Sequence, residues 1–405
     1  MVQVTVGVDT GKARHQAAAY DPAAERIVGQ VSFSVDRAGF DHVRGFLERL
    51  RPQPDQVVIG PEATGQYHLT LVEYLVSLGY RVALLNPLRA AQFRRSQGKR
   101  AKTDRLDAQA LARSLAVRAP RPQPVPSQAL VELRELTRFR AELVGQRTTV
   151  LHQLIGAVDL AFPELPHLLG DLRGRTGSAL LARYPSASAI ATADPQRLTE
   201  LLHQASRGHF GPTRVARLLA TARASVAVRQ TAEVLGLKIR SLVRQLTLLD
   251  QEIADLDDAI AEHFGQLGYR PADFPVGGVV ALATLVAEAG PLDRYPTAKH
   301  FVAYFGWCPV DSQSGSYKDP HPRLSQAGNR YVRRIIWMLA IHAVSRPGPY
   351  RDCFLRRTAA GKHKMDSVVA VGRKLLATVY AILKSGRPYD PTFRFRDADQ
   401  LATAA

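Results

Sequence analysis

The chain has 405 residues, enough for two or three domains with buried cores. With 46% hydrophobic and 22% charged residues it is not a disordered chain, and a net charge of +18 favours a polyanionic partner such as nucleic acid. Cys308 and Cys353 are too few for a disulfide scaffold or a four-ligand zinc site, which fits a reducing cytoplasm. The start, Met1-Val2-Gln3-Val4, has no basic segment followed by an apolar run. The longest apolar stretches, 276–287 and 335–344, fall short of the roughly 20 residues that span a bilayer. The expectation is a cytoplasmic, nucleoid-associated protein with no membrane contact.

Residues 1–118 read as an α/β domain. An apolar strand ends at Asp9 (Val4-Thr5-Val6-Gly7-Val8-Asp9), and strands near 16–20 and over 26–34 form a meander. A helix over 37–50 places Phe40, Val43, Phe46, Leu47 and Leu50 at helical spacing. A second apolar strand, Val57-Val58-Ile59, leads through Gly60-Pro61 to Glu62. Then follow a helix over 67–78, a strand over 81–85, and helices at 87–96 and 104–116. Apolar strands alternating with helices predict a sheet covered by helices.

Pro120, Pro122, Pro124 and Pro126 predict a stiff, extended linker over 119–126. Residues 127–264 read as helical, with Ser127 placed to cap a helix reaching about residue 160. Within 165–225, Arg183, Arg207, His209, Arg214 and Arg217 form either a phosphate-facing surface or a plain solvated one. Over 231–263, Leu235, Ile239, Leu242, Leu246, Leu249, Ile253, Leu256 and Ile260 step by four and three in turn. That is the a/d seam of a coiled coil, whose partner is the 127–160 helix or a second subunit; an ordinary bundle helix is the alternative.

A third region, 265–350, opens with Phe274-Pro275-Val276-Gly277-Gly278 and a helix reaching Glu288, followed by another from Thr297. Helices around a Gly-rich turn can offer backbone N–H groups to phosphates. A polar loop with Ser312, Ser314 and Ser316 comes next, then a basic helix beginning at Asn329. Residues 351–405 are expected to form a helical extension.

Asp9, Glu62, Asp104 and Asp107 come from three chain-distant elements able to aim at one point. Asp104 and Asp107, three apart on one helix face, repel each other unless a cation sits between them. Singly, each has an ordinary role, since acids in a first helical turn complement the helix dipole and Glu62 can cap the next helix. Together, hard carboxylate oxygens suit Mg²⁺, and divalent metal at a phosphodiester explains negative charge clustered in a basic protein. The order matches RNase H-like nucleases of the RuvC type: Asp on the first strand, Glu at a later strand end, Asp on the last helix. In the serine loop, Gly315 frees the backbone beside Ser314. A serine hydroxyl needs activation before it attacks. Arg323, Asn329, Arg330, Arg333 and Arg334 follow, able to hold phosphate oxygens, as Lys102 and Arg105 are beside the acidic pair.

Two blocks carry a family resemblance. The first is Val8-Asp9-Thr10-Gly11-Lys12, Gly60-Pro61-Glu62-Ala63-Thr64-Gly65, Asn86-Pro87 and Lys102-Thr103-Asp104-Arg105-Leu106-Asp107-Ala108. The second comprises Phe274-Pro275-Val276-Gly277, Phe301-Val302-Ala303-Tyr304-Phe305-Gly306, Gln313-Ser314-Gly315 and Ala327-Gly328-Asn329-Arg330-Tyr331-Val332-Arg333-Arg334. The chain resembles the DEDD-type transposases of the insertion-sequence one-ten family, bridge-RNA-guided serine recombinases. The resemblance implies a RuvC-like domain in which Asp9, Glu62, Asp104 and Asp107 hold Mg²⁺, a helical coiled-coil middle, and a mainly α-helical transposase domain. It implies a covalent phosphoserine intermediate, by motif position at Ser314, with Ser312 and Ser316 as neighbours. It further implies a homotetramer with composite active sites, and a structured non-coding RNA pairing with donor and target DNA. The alternatives are a RuvC-like junction nuclease using water as nucleophile, and a catalytically silent nucleic-acid-binding protein.

Overall fold

The computed structural model describes residues 4–51, 53–62, 67–85, 87–96, 103–118, 126–308, 313–314, 317–318, 324–325, 328–390 and 392. Lys102, Ser312, Ser316, Arg323, residues 119–125 of the expected linker and residues 393–405 lie outside the described set. The chain divides into two compact units, Met1–Val125 and Pro126–Ala405.

The first unit is built on a five-stranded mixed sheet in the order β3-β2-β1-β4-β5. Its strands are β1 (Val4–Thr10), β2 (Arg14–Asp21), β3 (Arg26–Ser34), β4 (Val57–Pro61) and β5 (Arg81–Val82). β1, β2 and β3 form the antiparallel meander, and β4 and β5 add in parallel on the other side. This is the mixed sheet expected of an RNase H-like α/β domain. The helices are α1 (Arg37–Leu50), α2 (Leu69–Ser77), α3 (Pro87–Ser96) and α4 (Asp104–Arg118). α1 starts where expected because Asp36 caps it, its carboxylate accepting from Gly39 N at 2.7 Å. β5 is shorter than the expected strand, and beyond it Leu85 makes a single parallel bridge to Glu62.

Side chains alternate across the sheet and so divide its faces. Val4, Val6, Val8, Val57 and Ile59 point into one core with Phe40, Val43, Leu47, Leu71 and Leu75 of α1 and α2. The opposite positions of β1 and β4 face α4. Gly7 lies so close to it that a Cβ there would stand 2.2 Å from Ala112 N and 2.4 Å from Ala108 O. Thr5 Oγ1 donates to Ala112 O at 2.9 Å. Rising numbers on β1 therefore meet falling numbers on α4, which brings the N-terminal turn of α4 to the C-terminal end of β1.

The second unit is helical: α5 (Gln128–Ala161), α6 (Leu165–Leu169), α7 (Arg175–Arg183), α8 (Ala187–Ala191), α9 (Pro195–Ala205), α10 (Pro212–Arg223), α11 (Ala232–Gln266), α12 (Val279–Ala289) and α13 (Ala298–Tyr304). It ends with α14 (Arg330–Ser345), α15 (Pro349–Ala359) and α16 (Lys364–Ser385). α5 and α11 run antiparallel, as the ion pairs Arg140–Asp257 and Arg147–Asp250 show. On α11, Leu235, Ile239, Leu242, Leu246 and Ile260 are buried, while Leu249, Ile253 and Leu256 are half-buried. This long pair joins two cores. One gathers α6 to α10 around Leu154, Val158, Ile239 and Leu242. The other gathers α12 to α16 around Leu133, Ile260 and Phe264. Helices beyond residue 350 thus share one core with α12 to α14. Among the described residues, no helix is long and apolar enough to cross a membrane.

Candidate active site

Parallel pairing of β1 with β4 sets the first pair of carboxylates side by side. Val8 is in register with Pro61, so Asp9 and Glu62 follow at neighbouring strand ends. Glu62 N donates to Val8 O at 3.0 Å, and Thr10 Oγ1 donates to Glu62 O at 3.1 Å, which ties the two ends together. By alternation Asp9 shares the face of Thr5 and Gly7, and Glu62 that of Val58 and Gly60; this is the α4 side. α4 itself buries Ala108, Leu111, Ala112 and Leu115. Asp104 and Asp107 extend the same helical stripe by one turn toward the strand ends. Thr103 secures that first turn: its Oγ1 accepts from Leu106 N at 3.3 Å and its carbonyl from Asp107 N at 2.9 Å.

The electrostatics of Asp9 register the convergence. Burial pushes its carboxyl up to about 6, the charges of Asp104, Glu62 and Asp107 add to that rise, and Arg94 partly offsets it. Asp107 is 5% exposed; its Oδ2 meets Arg94 Nη1 at 2.5 Å, while its Oδ1 is buried without a hydrogen-bond partner. Asp104 is exposed, and Glu62 is half-buried. Among the described residues, no three such side chains close to metal-coordinating spacing. The carboxylates repel one another, and Arg94 draws Asp107 to itself.

The donor set nonetheless fits a hard divalent cation: acceptor-only oxygens, one of them buried and unpartnered, beside a carboxyl whose ionisation is suppressed by burial and further by like charge. Arg94 was not singled out by the sequence, since it sits in the basic last turn of α3 among other arginines. Arg105 is exposed and donates through Nε to Gln30 Oε1 at 2.6 Å.

The second candidate site lies in the second unit. β6 (Gln313–Ser314) and β7 (Tyr317–Lys318) pair antiparallel, with Ser314 opposite Tyr317. The base of this loop is closed by contacts between its two flanks. Ser325 N donates to Cys308 O at 3.0 Å, and Arg333 Nη1 donates to Gly306 O at 3.2 Å and to Ser325 O. Gly328, at φ +136°, passes so near the chain that a Cβ would stand 2.5 Å from Phe305 O. Asn329 caps α14, its Oδ1 accepting from Tyr331 N at 2.9 Å and Val332 N at 3.3 Å.

Of the arginines expected at phosphate, Arg330 and Arg334 are exposed, with Arg330 stacked on Tyr331 at 4.9 Å from the ring centre. Arg333 and Asn329 are half-buried and use their polar atoms to hold the fold. Glu288 was also missed. It lies at the end of an apolar helix where nothing but its charge marks it, yet it accepts from both Arg138 and Asn329.

Comparison with known proteins follows the same two blocks. The model of the DEDD transposases of IS110 matches residues 6–163, and that of the Transposase IS116/IS110/IS902 family matches residues 272–354. The chain is 26% identical over 392 residues to the "Insertion element IS116 uncharacterized 44.8 kDa protein" of Streptomyces clavuligerus, covering 96% of each chain. It is 26% identical over 404 residues to the corresponding IS110 protein of Streptomyces coelicolor, again with 96% of each covered. It is also 25% identical over 363 residues to the "Pilin gene-inverting protein" of Moraxella lacunata, covering 89% of this chain and 90% of that one.

Proposed function

This chain belongs to the IS110 family of DEDD transposases, enzymes that transpose or recombine DNA, and on that footing we propose a specific mechanism. It moves an insertion sequence by metal-dependent strand cleavage and exchange through a covalent phosphoserine intermediate. The observation that carries this reading is the convergence of Asp9, Glu62, Asp104 and Asp107 on one side of the sheet, where the last three add to the rise that burial gives the Asp9 carboxyl.

Asp9, Glu62, Asp104 and Asp107 are the residues that would hold Mg²⁺. Bound there, the metal supplies Lewis acidity to phosphodiester oxygens and stabilises their developing charge. The fit rests on the buried, unpartnered Asp107 Oδ1 and on the acceptor-only chemistry of the set. The chain's own residues do the rest. Ser314 Oγ gives up its proton and bonds to phosphorus while a phosphorus–oxygen bond of the DNA backbone breaks. The departing sugar oxygen takes up a proton and leaves as a hydroxyl. A hydroxyl from another strand reverses the step, freeing the serine and sealing the DNA. Because phosphodiester energy is conserved in the serine ester, rejoining needs no nucleotide triphosphate. Exposed Arg330 and Arg334 would hold phosphate oxygens beside the serine loop, as Arg105 would beside the acidic site.

The division of labour follows from the charge. A chain at +18 reads the backbone and shape of nucleic acid, while a structured non-coding RNA reads sequence by base pairing with donor and target DNA. Subunits assemble as a tetramer through the outer face of the long helical pair, away from the seam that α11 shares with α5. Val234, Leu237 and Leu248 remain exposed on α11, apolar surface that a partner subunit would cover.

The test is trapping. Protein purified from cells carrying its element should yield a specific co-purifying RNA and, with that RNA and labelled DNA, a covalent protein–DNA adduct lost in Ser314→Ala. A Ser314→Ala protein that cleaves DNA at the normal rate would establish the water-using junction nuclease instead. Full recombination by Asp9→Asn would leave a nucleic-acid-binding protein without this chemistry.

A further inference from the structure

Glu288 closes α12 and is 3% exposed. Arg138 of α5 grips it with two parallel hydrogen bonds, Nε to Oε1 at 2.6 Å and Nη2 to Oε2 at 2.9 Å. Asn329 Nδ2 donates to the same Oε2 at 2.5 Å. One buried carboxylate thus joins α5, α12 and the residue that caps α14. A buried ion pair of this kind is often no more stabilising than apolar side chains of the same volume. What it supplies is direction, since hydrogen bonds to charged groups fix geometry as well as energy. The geometry fixed here is the origin of α14. One turn further along, Arg333 reaches back to Gly306 O and Ser325 O, and Ser325 N bonds Cys308 O. These contacts close the base of the loop that carries Ser314.

We propose that Glu288 is a positioning residue for the serine loop, acting through Asn329 and Arg138 on the start of α14 and hence on the Arg333 clasp. The proposal rests on the reading of Ser314 as nucleophile, and it predicts a defect in the covalent step rather than in DNA binding. Displacement of a reacting group by about 1 Å slows a reaction by up to roughly 100-fold.

Two variants test it: Glu288→Gln, which loses the charge and sets an NH2 donor against one of the three donors that the two carboxylate oxygens now accept from, and the paired Arg138→Met/Glu288→Met, which removes both charges together. In Glu288→Gln, hydrogen exchange at the amides of Ser325, Tyr331 and Val332 should accelerate at least about tenfold. Covalent adduct formation in a single turnover should slow by roughly 10–100-fold, with DNA affinity unchanged. The double variant should recover the melting temperature of the parent without recovering the adduct rate, because Asn329 still lacks its acceptor. Unchanged exchange in Glu288→Gln, or a double variant that forms adduct at the parental rate, overturns the proposal. Should the parent protein form no adduct at all, the serine reading falls, and hydrogen exchange alone decides whether Glu288 sets the loop.

Discussion

Arg94 Nη1 stands 2.5 Å from Asp107 Oδ2, so a guanidinium holds the carboxylate that a divalent cation would need. Asp107 is nearly buried and Arg94 about two-thirds so, which makes the pair more than a solvated contact. Replacing Arg94 by Met should lower the stability of the metal-free protein by about 1–3 kcal/mol, as expected on removing a charged hydrogen-bond partner. The same change should tighten Mg²⁺ or Mn²⁺ binding several-fold, because the ion no longer displaces a bound cation. Titration calorimetry and thermal melting of the metal-free protein read the two effects. Weaker metal binding in Arg94→Met would show that the arginine serves the metal rather than competes with it.

Asp9 predicts a pH dependence whose sign is fixed by its environment. Its carboxyl is raised from 3.8 to about 6 in the folded protein. The protonated form is therefore favoured by folding: the stability it contributes is complete below pH 4 and is lost as pH rises through 6. Metal binding needs the ionised form, so affinity should climb over the same interval and level off above it. Asp9→Asn should abolish strand cleavage, yet raise the metal-free melting temperature at pH 8 by a few degrees, since it removes one charge from a repelling group. A melting temperature that falls at pH 8 would mean that Asp9 is neither buried nor faced by the other carboxylates.

Gly7 links the fold to the site. Any Cβ there would strike the backbone of α4, which carries Asp104 and Asp107. Gly7→Ala should cost about 3 kcal/mol or more, the upper range for overpacking against backbone, and should eliminate cleavage along with it. Gly145 is a matched control: it lies inside α5 with open space around its Cβ position. Gly145→Ala should stabilise by about 0.5–1 kcal/mol. Chemical denaturation of the two variants separates the outcomes, and equal effects would refute the close packing of β1 on α4.

Much of this was legible in the chain. The apolar run ending at Asp9 marked β1, and the helical spacing of Phe40, Val43, Phe46, Leu47 and Leu50 marked α1, whose Asp36 cap only the structure showed. The four acids could be chosen because each stands at the end of a recognisable element, and an element's end is a local property. Arg94 and Glu288 could not be found that way. Each is one charge among many of its kind, and its importance lies in a neighbour distant along the sequence, Glu288 with Arg138 150 positions away.

The sequence by itself determined the main units of secondary structure, the net basic charge and the placement of four acids at element ends, because periodicity, turns and charge act over a few residues. Tertiary structure decided which face of the sheet each acid occupies together with α4, that α11 lies along α5 of its own chain, and which polar groups share a buried partner. Those outcomes depend on strand pairing and on close approach at Gly7, and both are settled only when distant segments compete for the same space.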